Sequence, residues 1–382
     1  MQIRKLWRQV LYGLALLGVG SCVDPYRPQE ISAPNRYLVV DGFLNGGSEA
    51  SVIKLSRTQN IQDFSKPTPE AKATVRVESE GGIAYPFTEG PSGTYTLNAS
   101  PLTTGRNYRL RIKTSDGNEY LSDLITVKKT PKIDSLSWDV QNQGLQIYVN
   151  THDATNKTRY YRWEYEDTFE IQTPYQSPFE LVDDSIVGRQ VVNINRCWQT
   201  RASTNIIIGS TARLTQDVLQ KAPILFIPGS SPKLWIKYSL LVKQYAQSPE
   251  AYAYWESLQK NTEQLGSLFD PLPSQLTGNI HNVNNASDPV LGFVDGYSVE
   301  QVRVFIDRPA SLPRYLIETG YESCKLDTLP LPLDPTPLKD WLGPSGGYNA
   351  VEYLGKGLYL AAAVGCTDCR NRGTTTKPSY WP

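Results

Sequence analysis

Between residues 36 and 128 this chain repeats one pattern: a short run in which apolar and polar side chains alternate, then a turn. The runs fall at 37–40, 51–55, 74–77, 93–97, 108–112 and 121–127. Alternation with period two puts one face of each strand in a core and the other in water. Gly46-Gly47, Gly81-Gly82, Pro91-Ser92-Gly93 and Asp116-Gly117-Asn118 stand between runs, where tight turns are needed. The pattern predicts a mainly β chain that opens with an immunoglobulin- or fibronectin-like β-sandwich over 36–130. Leu102-Thr-Thr-Gly105-Arg-Asn-Tyr108 has the form of a tyrosine corner, whose hydroxyl bonds back to upstream backbone. Tyr108 is therefore expected to be structural.

Thr130-Pro131 breaks the pattern, and 131–382 reads as a second, larger β-rich domain, making tandem sandwiches. Runs 133–138 and 144–149 predict a hairpin across Asn142-Gln143-Gly144. Tyr161, Trp163 and Tyr165 alternate with Arg162, Glu164 and Glu166, and further strands are expected at 206–208, 224–227, 234–242, 302–306 and 358–364. One helix is predicted near 248–265. Ser248 suits its N-cap, Pro249 its first position, and Ala251, Trp255, Leu258 and Leu265 follow helical spacing up to Gly266. Trp255 and Leu258 are expected to pack on a sheet or cover its edge, core packing being favoured over a ligand groove lined by the helix aromatics. The Pro-, Leu- and Gly-rich stretch 327–347 is expected to be a surface loop.

The N-terminus carries a different signal. Arg4, Lys5 and Arg8 precede an apolar run over 10–19, and Val19-Gly20-Ser21 leads into Cys22. That is a secretory leader over 1–21 with the cleavage site placed before a cysteine, so Cys22 is expected to be acylated. Ten residues at about 1.5 Å rise cover about 15 Å, half of a hydrocarbon core of about 30 Å, so the run does not span a bilayer. Two or more acyl chains give stable attachment. Residues 22–35, with three prolines and no hydrophobic period, read as a tether. Removing the leader takes three cations and no anion from a balance of 38 against 38, leaving a net charge of −3. Such a surface lacks the basic footprint that nucleic-acid binding requires.

Cys197, Cys324, Cys366 and Cys369 remain. An even count in an exported chain points to two disulfides, in any of three connectivities. Cys366-Thr-Asp-Cys369 also has zinc-ligand or redox spacing, but a second close cysteine pair and a βαβ context are both missing.

The set Cys197-Trp198, Tyr238-Ser239, Trp255, Lys260-Asn261, Phe269-Asp270-Pro271-x-Pro273, Gly278-Asn279, Val290-Leu291-Gly292, Cys366-x-Asp368-Cys369-Arg370 and Lys377-Pro378-x-Tyr380-Trp381 resembles the lipoprotein family called domain of unknown function 4249. The resemblance implies an outer-membrane, lipid-anchored protein associated with TonB-dependent receptors. It implies no catalytic residues and no cofactor.

Catalytic signals are sparse. The two histidines, His152 and His281, sit beside turn residues, and nucleophile-elbow, zincin and P-loop motifs are missing. Glu164 and Glu166 would share a strand face about 6.8 Å apart, within the range of inverting glycosidase pairs, but a solvated polar face explains them more simply. Trp163, Trp198 and Trp381 are the aromatics singled out for a ligand or partner, against the competing expectation of burial. The expected role is an accessory binding lipoprotein assisting a nutrient importer. A surface adhesive protein and a carboxylate-based hydrolase are the alternatives.

Overall fold

The alternating runs of the first region pair as antiparallel strands in two facing sheets. The computed structural model describes residues 36–59, 66–98, 101–190, 193–263, 276–330 and 336–382. Cys22, the leader and the whole tether lie outside the described residues, as do Leu265, Gly266 and the Phe269-to-Pro273 motif. Tyr37–Pro382 forms one compact unit.

In the first sandwich, Leu38–Asn45 and Ser51–Arg57 pair in one sheet, while Thr74–Ser79, Asn107–Lys113 and Glu119–Ser122 form the other. Leu38, Val40, Ile53, Leu55, Val75, Val77, Leu110 and Ile112 point inward, two residues apart, as the period requires. Residues 36–130 do not close this sandwich alone. Ile280–Asn282 pairs with Glu119–Ser122, Gly296–Tyr297 pairs in parallel with Leu38–Asn45, and Ile280, Val290 and Val294 enter the core. The returning chain runs so close that a Cβ on Gly292 would lie 1.9 Å from the Val40 carbonyl oxygen, at a φ of +118°. Only glycine fits there.

Tyr108 is buried, and its hydroxyl accepts the Thr103 N–H at 2.9 Å. This is the expected corner bond. Tyr108→Phe leaves that N–H without its acceptor and is expected to cost about 1–2 kcal/mol. An unchanged urea midpoint would refute that role.

The second sandwich packs the three-stranded sheet Ile133–Gln141, Gly144–His152 and Val218–Pro228 against a larger one. The larger sheet runs Arg196–Ala202, Tyr160–Gln172, Lys237–Ala246 and Val299–Asp307, with Ile207–Ser210 also on the long strand. Leu145, Ile147, Val149, Trp163, Leu240 and Val242 are among the core side chains between them. Stretch 327–347 differs from the expected loop: Asp327–Leu329 pairs with Leu358–Ala363, which also pairs with Tyr348–Gly355. Leu329, Leu342, Ala350 and Ala361 give this small sheet a core of its own. Prolines mask the pattern because a three-residue strand shows no period.

The disulfides are Cys197–Cys369 and Cys324–Cys366, one nested within the other. The two cysteines of the close pair thus belong to different bridges, and all four thiols are committed. Among the described residues no group of three or more His, Cys, Asp or Glu side chains is arranged to hold a metal ion. No described helix is long and apolar enough to cross a membrane.

Candidate functional site

Strand alternation assigns the two faces of Tyr160–Gln172. Tyr161, Trp163, Phe169 and Ile171 face the core. Arg162, Glu164, Glu166 and Thr168 face out, where the sequence predicts water. Instead, both ends of that outer face are roofed.

One roof is the helix Pro249–Glu263. The Ser248 hydroxyl accepts the Ala251 N–H at 3.1 Å, which is the predicted N-cap, and the Ser248 N–H donates to Asp295 at 2.8 Å. Asp295 thereby ties the helix start to the segment that returns to the first sandwich. Of the helix's residues only Ala251 is fully buried. Trp255 and Leu258 are half-buried, so they border a cleft rather than fill a core.

Trp255 lies over the Arg162 guanidinium at 4.4 Å from its ring centroid, and Tyr245, the cross-strand partner of Arg162, lies over it at 4.7 Å. Arg162 donates to Glu164 Oε1 at 2.6 Å and to the Tyr297 hydroxyl at 3.4 Å. The Tyr245 hydroxyl donates to Glu164 Oε2 at 2.7 Å. Phe43, from the first sandwich, stacks on Tyr297 at 4.7 Å and meets Tyr245 edge-on at 5.7 Å. Arg162 is 8% exposed, and its Nε has no acceptor among the described residues.

The charges of this cluster support one another. Burial alone would lower the Arg162 pKa, but Tyr297, Glu164 and Tyr245 more than offset it and keep the guanidinium charged. Burial alone would raise the Glu164 carboxyl, but the Arg162 charge and the bonds from Tyr245 and Arg162 hold it below the usual carboxylate range. Burial pushes the Tyr297 hydroxyl up to about 12. Burial also raises Asp295, against the backbone N–H groups of Ser248 and Gly296 and the charge of Lys128.

Above Arg162 opens a cleft of about 840 Å³ between the two sandwiches. Half-buried Phe43, Tyr254, Trp255, Leu258 and Phe293 wall it, and exposed Asp41, Lys54 and Lys66 stand at its border. A second cleft, also of about 840 Å³, shares Tyr254, Phe293 and Asp295 and reaches Lys128 and Glu250 near the helix start.

The other roof is the C-terminal tail. Trp198 and Thr374 exchange backbone hydrogen bonds at 2.8 and 2.9 Å, extending the sheet by one bridge. Arg303 stacks on Tyr380 at 3.6 Å and donates to Glu166 at 3.1 Å. Trp381 meets Phe305 edge-on at 5.6 Å. The terminal Lys-Pro-x-Tyr-Trp motif is thus a packing device, held by Cys197–Cys369.

The three aromatics singled out by sequence are not ligand platforms. Trp163 is 1% exposed, stacks on Tyr161 and donates its Nε1–H to Gln244 at 2.8 Å. Trp198 and Trp381 are also buried, the first behind the tail bridge and the second as part of the tail, against Phe305. Glu164 and Glu166 do share a face, but each is bound to its own arginine, Arg162 and Arg303. His152 and His281 are exposed and pair with Asp134 and Asp123. Sequence reasoning missed Arg162, Tyr245 and Tyr297 as a site. The available signal was an arginine amid the polar face of a strand rich in aromatics.

No curated protein matches the chain. Among solved structures, a candidate carbohydrate-binding protein from Bacteroides uniformis aligns at 8% identity over 56% of this chain and 91% of its own. Its TM-score of 0.15 gives that likeness no weight for fold or ligand. The family model for the domain of unknown function DUF4249 matches residues 23–303, which is most of the chain and takes in the first sandwich, the helix and the second sandwich up to the middle of its strand Val299–Asp307. On that match, the chain belongs to the DUF4249 family.

Proposed function

We propose that this protein is a lipid-anchored binding protein of the bacterial outer membrane, which holds a small ligand in the cleft between its sandwiches and serves a TonB-dependent importer. The observation that carries the binding role is the cleft over Arg162: a buried cation held against two aromatic rings, below a wall of half-buried aromatics. Largely pre-formed concave sites lined by aromatics with a few fixed polar groups are where small ligands bind. A concave site favours this reading over that of an adhesive spacer, which needs only an exposed patch. The anchor rests on the leader and Cys22, and the importer rests on family resemblance alone.

The test uses the acylated full chain in its native envelope. Cys22→Ala is expected to leave the membrane fraction, and pull-down of the parent chain is expected to bring a TonB-dependent receptor. Membrane retention of Cys22→Ala would remove the anchor. Pull-down that brings no receptor would remove the importer role.

A further inference from the structure

Resting on the reading of the cleft as a binding site, we propose that its ligand is a neutral oligosaccharide. The lining carries three cations, Lys54, Lys66 and Arg162, and three acidic side chains, Asp41, Glu164 and Asp295. A balanced lining gives no net pull on a phosphate, a polyanion or an organic cation. It offers fixed donors beside fixed acceptors, which suits hydroxyl groups because each hydroxyl both donates and accepts. The exposed side chains of Lys54 and Asp41 at the border supply a donor and an acceptor that sugar hydroxyls can reach.

Walls and floor fit the same chemistry. A pyranose ring has an apolar C–H face and a polar rim. Tyr254, Trp255 and Phe293 present half-buried rings to the cleft, and the polar groups lie beside them. A purely apolar ligand would cover the polar side chains of Lys54 and Asp41 without offering them a partner, at a cost. At about 840 Å³ the cleft is near the upper end of small-molecule sites, roughly 300–1,000 Å³, which suits a short oligomer.

A peptide fits less well. Extended peptides bind by adding to a free strand edge. The strand that borders the cleft, Leu38–Asn45, pairs with Ser51–Arg57 on one side. On its other side the Val40 N–H donates to Leu291 at 2.8 Å and the Leu44 N–H to Asp295 at 2.9 Å. Both edges are engaged by the protein itself.

Calorimetry and tryptophan fluorescence on the full chain would test this with malto-, cello-, xylo- and manno-hexaose. An oligogalacturonate and an uncharged hexapeptide serve as the anionic and peptide probes. At least one neutral hexasaccharide is expected to bind and to quench Trp255, while the other two probes do not bind. Phe293→Ala is expected to weaken binding about ten-fold, the scale of one aromatic stacking contact. Asp41→Asn, at an exposed position, is expected to weaken it without moving the thermal midpoint. If no neutral hexasaccharide binds, or if the oligogalacturonate or the peptide binds in a Phe293-dependent way instead, the sugar assignment is overturned and the cleft reading survives only in the second case. If a sugar binds with unchanged affinity in both variants, the cleft itself is the wrong place.

Discussion

Replacing Cys197 and Cys369 together by alanine is expected to lower the unfolding free energy by about 5 kcal/mol. The bridge closes a separation of 172 residues, and loop-closure entropy grows with the logarithm of that length. Cys324–Cys366 closes only 42 residues, for which the same argument gives about 4 kcal/mol. Local packing widens the gap. Cys197 and Cys369 are fully buried in the core of the second sandwich, whereas the inner bridge joins the two chain ends of the small third sheet. Loss of the outer bridge also frees the tail, so Trp198 and Trp381 gain water and the emission maximum shifts to the red. Equilibrium urea unfolding of the oxidised protein measures the difference. A loss below about 1 kcal/mol, with no spectral shift, would show that the tail is held by Thr374, Tyr380 and Trp381 alone.

The tail also shows which features of the fold are legible in sequence. Strands long enough to display a period were readable: five of the six first-sandwich runs, the 142–144 turn and the Tyr161-Trp163 alternation stand where the pattern puts them, while the run 121–127 is broken at Asp123-Leu124 into Glu119–Ser122 and Ile125–Thr126. Elements of two or three residues were not. Ile280–Asn282 and Gly296–Tyr297 carry no periodic signal, and their partners lie more than 150 residues upstream. Their return to the first sandwich is a long-range event that composition does not encode, apart from Gly292, whose need is visible only once Val40 lies against it.

The site was hidden for a related reason. Period two says which side chains share a face, and it placed Arg162, Glu164 and Glu166 together correctly. It does not say what covers that face. Water was the expected cover, and the actual covers are a helix with one fully buried residue and a tail locked by a distant cysteine. Trp163, whose indole marked it as a candidate, sits on the opposite face and was taken by the core. Trp255, expected to be a core residue, became part of the cleft because Arg162 rather than an apolar side chain lies beneath it.

Arg162 is therefore the residue at which the cleft is most open to test. Arg162→Met keeps an unbranched stem between Trp255 and Tyr245 but removes the charge. Removing one partner of a buried ion pair costs about 3–5 kcal/mol. The Glu164 side chain is 42% exposed, so solvent screening reduces this to about 2–3 kcal/mol, including the lost cation–π contacts. The pH dependence separates this cause from mere loss of packing. In the parent chain the Glu164 carboxyl is held below its ordinary value of 4.5, so its stabilising contribution is present above that pH and is lost as pH falls through the lowered folded value. In Arg162→Met the burial that opposes ionisation loses its main counterweight, and the carboxyl moves upward. Its ionised form then destabilises the fold as pH rises through the new value. The deficit of the variant against the parent is thus expected to be greatest near pH 7 and to shrink as pH falls below 4.5. Adding Glu164→Gln is expected to recover about 1–2 kcal/mol at pH 7, the coupling typical of contacting groups. Urea titrations of the four proteins across that range give both quantities. A deficit that stays constant with pH, together with additive single effects, would mean that Arg162 acts as a hydrophobic prop and that Glu164 takes no part in holding the cleft.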